Sequence, residues 1–223
     1  MSDKIAIGGI LLTNVGLLGD ISVGKTSILR LFVKYLNKGT IEKVKGGIKA
    51  AVVKVDFSGE ATVPSGDKEN SLDEKATKTI HPNRVVFREI DTNRAHTIFA
   101  PGGDRKRAVV KMGIITISRI ATQIIAVFSL DRDLKSQFEF FNDVRFFPDK
   151  IYVCINKVDL LEGDNKEQKL EEIKKEIADF FKQRKIEIGE FFITCGESIE
   201  GFEDVEKYND HVAEMLLKIT TSH

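Results

Sequence analysis

Residues Gly19-Asp20-Ile21-Ser22-Val23-Gly24-Lys25-Thr26 fit the pattern G-x-x-x-x-G-K-[ST] at every fixed position. Upstream lies an apolar, turn-free stretch, 13–18. Downstream, Ile28, Leu31, Phe32, Tyr35 and Leu36 recur at helical spacing after Ser27. Strand, glycine loop and helix in this order make a phosphate cradle: backbone N–H groups of the loop and the positive end of the helix face one point. The expected contacts run from Gly19 through Ser27. Lys25 reaches the outer phosphates, and the Thr26 hydroxyl is placed to ligate Mg²⁺. A chain built on this unit needs a buried strand at its centre.

The remaining sequence supplies such a setting. At 223 residues, 1–223 reads as one domain with an insertion at about 40–78. Lys+Arg and Asp+Glu balance at 34 each, so no global field gathers nucleic acid or an anionic membrane. Two cysteines give no disulfide framework. Met1-Ser2-Asp3-Lys4 lacks signal-peptide architecture and a myristoylation glycine, and Ile219-Thr220-Thr221-Ser222-His223 lacks a prenylation cysteine. The run from Ile5 to Leu18 is too short and too interrupted to span a bilayer. A cytoplasmic protein without a lipid anchor is expected.

Periodicity predicts an α/β fold of three layers around a mostly parallel sheet, with an extra N-terminal strand over 4–12. Ala51, Val53, Val55 and Phe57 alternate with Val52, Lys54 and Asp56, which predicts a strand with that first set on its dry face. Residues 58–78 read as a loop. Strands are expected over 83–90 and 95–99, joined at Asp91-Thr92-Asn93, and a helix near 105–120. The near-continuous apolar runs 123–130 and 151–155 predict parallel strands covered on both faces. Helical stripes follow at Leu134, Phe138 and Phe141, over 166–184, and from Val205 to Ile219, with a last strand over 190–194. Phe140, Phe146 and Phe147 exceed one stripe and suggest either an interaction patch or a buried helix end.

A phosphate loop alone does not choose between ATP and GTP. Asn156-Lys157-Val158-Asp159 follows the buried run 151–155. Guanine offers N1–H and an exocyclic N2–H₂ on one edge, and a carboxylate accepts both, whereas adenine has no such edge. Asp159 is the expected carboxylate, and N-K-x-D after a buried strand resembles the small Ras-like GTPases, which implies Lys157 along the base and Asn156 tying this loop to the phosphate loop. Thr194-Cys195-Gly196, after the last strand, resembles a T-[CS]-A segment whose backbone amide contacts the guanine oxygen.

In this order the motifs resemble a Ras-superfamily small GTPase over about 13–220, closest in pattern to the prokaryotic branch that includes the gliding-motility polarity GTPases. The resemblance implies a P-loop NTPase, Ras-like G domain with an enlarged first switch, binding GTP and GDP with Mg²⁺. At the third motif the family's D-x-x-G-Q is replaced. Phe99 stands at the Asp position and Gly103 at the Gln position, and Gly102 keeps the N–H for a γ-phosphate. The resemblance also implies a switch threonine that closes over Mg²⁺, here Thr79, with Thr77 the alternative. Lys25, Thr79 and Gly102 are then the expected catalytic set, and Thr26 and Thr79 the metal ligands.

Without the Gln, hydrolysis is expected to be slow, and a group from His81, Arg105 or a partner must replace it. Expected partners are an effector and an activating protein, of Roadblock type by analogy with the motility GTPases. The alternative is a GTP/GDP-binding assembly module with negligible turnover. An ATP-using enzyme would require Asn156-Lys157-Val158-Asp159 to be accidental.

Overall fold

The computed structural model describes residues 13–38, 44, 47–61, 78–79, 81–161, 163, 165–195 and 205–221. The predicted N-terminal strand, Thr77 and Gly196 lie outside these residues, and of Thr79 only the backbone is described.

At the centre of the molecule stands β1 (Thr13–Leu18), paired in parallel with β6 (Ala95–Ala100) on one side and β7 (Gln123–Ser129) on the other. β8 (Lys150–Asn156) and β9 (Glu187–Ile193) continue the parallel run, while β5 (Asn83–Glu89) and β2 (Ala50–Asp56) extend the other edge antiparallel. The seven strands lie in the order β2-β5-β6-β1-β7-β8-β9. β3 (Glu60–Ala61) and β4 (Lys78–Thr79) form a separate antiparallel pair, so both ends of the predicted 58–78 loop meet in a short ribbon.

Burial on both sides of the sheet explains the continuous apolar runs. Ile125 and Val127 of β7 join a core with Ile28, Phe32, Val212 and Leu216 from α1 (Lys25–Leu36) and α5 (Val205–Thr221). Ile124, Ala126 and Phe128 point into the opposite core. There they meet Ile114 of α2 (Ala108–Ile120), Phe141 of α3 (Leu134–Asn142) and Phe181 of α4 (Lys166–Lys182). Two helices thus cover one face and three the other. Parallel strands with both faces covered have no polar alternation to show. Among the described residues, no helix is long and apolar enough to cross a membrane.

Two expectations need correcting, and one pair of alternatives is decided. Of the set predicted to be dry, only Phe57 packs against the core: Ala51 is exposed, as are Val53 (55%) and Val55 (37%), whereas Ala50 is buried and Val52 packs inward. β2 is a sheet edge, and its register against β5 shifts between Val52 and Lys54, which breaks a strict two-residue alternation. The helix expected from about 105 starts at Ala108, because Arg107 still has extended backbone at the N-cap. For the extra phenylalanines, the buried helix end is the alternative that holds at Phe140. Phe140 is fully buried, Phe147 packs its ring against Phe181, and Phe146 lies under the Arg119 guanidinium.

Candidate functional site

β1 ends at Leu18, and the chain turns through Gly19–Gly24 into the first turn of α1. Gly24 caps that helix with φ +92°, and a side chain there would overlap the Asn156 amide. Both the left-handed backbone and the lack of space require glycine. Lys25 folds back across the loop and donates from Nζ to the carbonyl oxygens of Gly19 (2.8 Å) and Asp20 (2.7 Å). Its ammonium is buried, and desolvation pulls its pKa down from 10.5 to about 7. The Asp20 carboxylate opposes this shift and the Arg132 guanidinium adds to it. Arg132 Nη1 in turn stands 3.6 Å from Asp20 Oδ2.

Thr26 Oγ1 accepts a hydrogen bond of 3.0 Å from Nδ2 of Asn83, the first residue of β5. Asn83 sits opposite Ala100 in the β5–β6 register, so it stands beside the loop Pro101-Gly102-Gly103 that follows β6. That loop is buried. Gly103 lies so close to the backbone of Asp20 and Ile21 that any Cβ would collide with it. Phe99 faces the other side of the sheet, packed against the α2–α4 core, so β6 sends no ligand toward Thr26 from that position.

The third group of residues arrives from β8. Asn156 Nδ2 donates to the Val23 carbonyl oxygen at 3.1 Å, and its Oδ1 accepts from Thr194 Oγ1 at 2.8 Å. Asn156 therefore links the loop after β8, the phosphate loop and the exit of β9. Lys157 takes a left-handed backbone (φ +63°) and pairs its Nζ with Asp131 Oδ2 at 2.5 Å. Asp159 lies in the 3₁₀ turn Val158–Leu160, where its Oδ1 accepts from Cys195 Sγ at 3.2 Å. The Val158 N–H donates to the Thr194 carbonyl oxygen, closing the two loops together. Burial pushes the neighbouring Cys154 thiol up to about 12, so it is a packing group.

The structure thus brings residues 19–27, 156–159 and 194–195 to one end of the sheet, at the carboxyl ends of β1, β8 and β9. This is where open α/β sheets bind ligands. It does not bring Arg105 there. Arg105 is held at the end of α3, where Nη1 donates to the Glu139 carbonyl oxygen and to Asp143 Oδ2, both on that segment. His81 is exposed just before β5.

Sequence reasoning missed Asn83, Asp131 and Arg132. The signal for the last two was available: Leu130-Asp131-Arg132-Asp133 follows a buried strand that is a parallel neighbour of β1, so its polar residues must emerge beside the phosphate loop. Asn83 depends on strand register, which composition does not reveal. Among the described residues no group of three or more His, Cys, Asp or Glu is arranged to hold a metal. The Thr26 hydroxyl is a neutral oxygen of the kind that Mg²⁺ takes in sites where phosphate oxygens supply most of its ligands.

No protein-family model matches the chain, and no curated protein does. Among solved structures, bacterial selenocysteine-specific elongation factor EF-Sec superposes with a TM-score of 0.50 at 14% identity, covering 91% of this chain and 29% of that one. The two share a fold. A mutation variant of SsGBP gives a TM-score of 0.49 at 14% identity, over 94% of this chain and 58% of that one. The chain therefore spans under a third of EF-Sec and a little over half of SsGBP.

Proposed function

We propose that this chain binds GTP and GDP with Mg²⁺ and acts as a slow GTP-hydrolysing switch. The observation that carries the reading is the Asn156 bridge, which fixes the Asp159 turn at a set distance from the phosphate loop. A nucleotide spanning the two places its base edge on Asp159 and its phosphates on Gly19–Thr26. The cysteine hydrogen bond on one oxygen orients the Asp159 carboxylate to accept N1–H and N2–H₂ as a pair.

The phosphates would be held by the N–H groups of the loop, the N-terminus of α1 and the Lys25 ammonium. Mg²⁺, held by Thr26 and Thr79 together with phosphate oxygens, would neutralise charge on the transferred group. The Gly102 N–H serves the γ-phosphate. No side chain at 103 orients a water, so intrinsic hydrolysis is on the order of 10⁻⁴ s⁻¹ or slower, and an activating protein supplies the missing group. Residues 58–79 form the switch that reports the γ-phosphate to an effector.

A second reading, an assembly module that holds nucleotide with negligible turnover, is favoured by the close fit of Gly103 against the phosphate loop. Single-turnover phosphate release, paired with hydrogen exchange of 58–79 in the GDP and GTP-analogue states, separates the two. Slow release with protection specific to the triphosphate supports the switch. No release with identical protection supports the assembly module, and release at several per second by the chain alone contradicts both.

A further inference from the structure

Asn83, Val85, Phe87 and Glu89 share the buried face of β5. Asn83 is fully buried at the end of that face, beside Val85 and Phe87. An amide placed there costs free energy unless its polar atoms are used. Its N–H₂ is used on the Thr26 hydroxyl, 57 residues away in sequence. No other side chain from the β5–β6 pair is on hand for this at the same end: Ala100, directly opposite, has no polar atom, and Phe99 faces the other core.

We propose that Asn83 is a positioning residue for a divalent cation at the phosphate loop, holding the Thr26 hydroxyl in the orientation that presents its oxygen to the metal. The inference rests on the nucleotide-binding reading above. In the present arrangement the Asn83 N–H₂ donates into one lone pair of the Thr26 hydroxyl oxygen, which leaves the second lone pair for a cation. Once that oxygen is turned to a metal, its proton needs an acceptor on the protein side. Rotation of the Asn83 amide by half a turn supplies Oδ1 for it. The same side chain thus serves the hydroxyl with and without the cation. Because the amide is neutral, it orients the ligand without adding the negative charge that a carboxylate would bring. Cation affinity is then moderate and tunable at this position.

The test is Mg²⁺ titration of the full chain loaded with a fluorescent N-methylanthraniloyl GDP, reading nucleotide retention rather than hydrolysis. Asn83→Ala is expected to raise the half-saturating Mg²⁺ concentration about tenfold, the usual effect of losing an outer-shell partner, while GDP affinity in EDTA stays near wild type. Asn83→Asp is expected to lower it by a similar factor, because the acceptor becomes permanent and charged. Half-saturation points unchanged in both variants would overturn the proposal. So would Asn83→Asp weakening Mg²⁺ as Asn83→Ala does, since that pattern marks a packing role. If Asn83→Ala does not fold by circular dichroism, the Asn83→Asp titration alone decides. Wild-type protein that fails to retain the GDP probe at any Mg²⁺ concentration removes the nucleotide reading itself. A wild-type response with indifferent variants removes only Asn83.

Discussion

Raising the pH above about 7 is expected to loosen the hold on phosphates through Lys25. In the empty loop its ammonium is buried against two carbonyl oxygens, with the Arg132 charge nearby, and its pKa falls from 10.5 to about 7. A polyphosphate beside it restores the charged form, so binding requires a proton that the empty protein lacks at alkaline pH. Each pH unit above the empty-state value then costs about 1.4 kcal/mol, or about tenfold in affinity. The full depression corresponds to at most about 5 kcal/mol.

Folding stability of the empty protein carries the opposite slope. Between about 7 and 10.5 the unfolded chain holds the Lys25 proton and the folded chain does not. Stability therefore rises with pH across that window, and nucleotide removes the rise. Calorimetric titration at about pH 8, in two buffers of different ionisation enthalpy, should show uptake approaching one proton per nucleotide. Arg132→Ala should move the midpoint of this uptake up, and Asp20→Asn should move it down, following the signs of their charges. Affinity flat from pH 7 to 9 with no proton uptake would refute the reasoning.

Other outcomes follow from the same geometry. Asp159→Asn should weaken GDP by the 1.5–3 kcal/mol typical of hydrogen bonds to a charged group, about 10- to 150-fold, and favour xanthine nucleotides; unchanged GDP binding by fluorescence titration would count against the assignment. Gly103→Gln should not accelerate single-turnover hydrolysis, since its Cβ meets the Asp20–Ile21 backbone. A faster rate in that variant would mean that the loop moves away in the reacting state. Phe128→Ala removes a fully buried ring that meets Phe138, Phe141 and Phe181, and should cost about 3–5 kcal/mol in urea denaturation. A loss below about 1 kcal/mol would show that the aromatic core can close over the gap.

The central sheet was legible because its strands announce themselves physically. Residues 124–128 and 151–155 form near-continuous apolar runs, as covered parallel strands do, and the loop at 19–26 serves between a strand and a helix. Other elements carried weaker signals. The last strand starts at Glu187, three residues before the expected start at Glu190, because Ile188 pairs with Ile151 while Gly189 leaves room for Lys150 and Tyr152. The inward face of β2 depends on a register shift that no alternation rule contains. At the site, residues contiguous with a motif were readable. Asp131 and Arg132 were readable only through the parallel pairing of β7 with β1, and Asn83, which depends on strand register, was not. Arg105 looked eligible by sequence proximity, but the end of α3 offers its guanidinium a carbonyl and a carboxylate, and it stays there.

The most direct measurement is a competition titration of the full chain with Mg²⁺, displacing a fluorescent GDP with GTP, GDP, ATP and ADP. Displacement by GTP and GDP is expected at concentrations at least about 100-fold below those needed for ATP and ADP, the discrimination that follows when a carboxylate reads the base edge. Equal displacement by adenine and guanine nucleotides would contradict it.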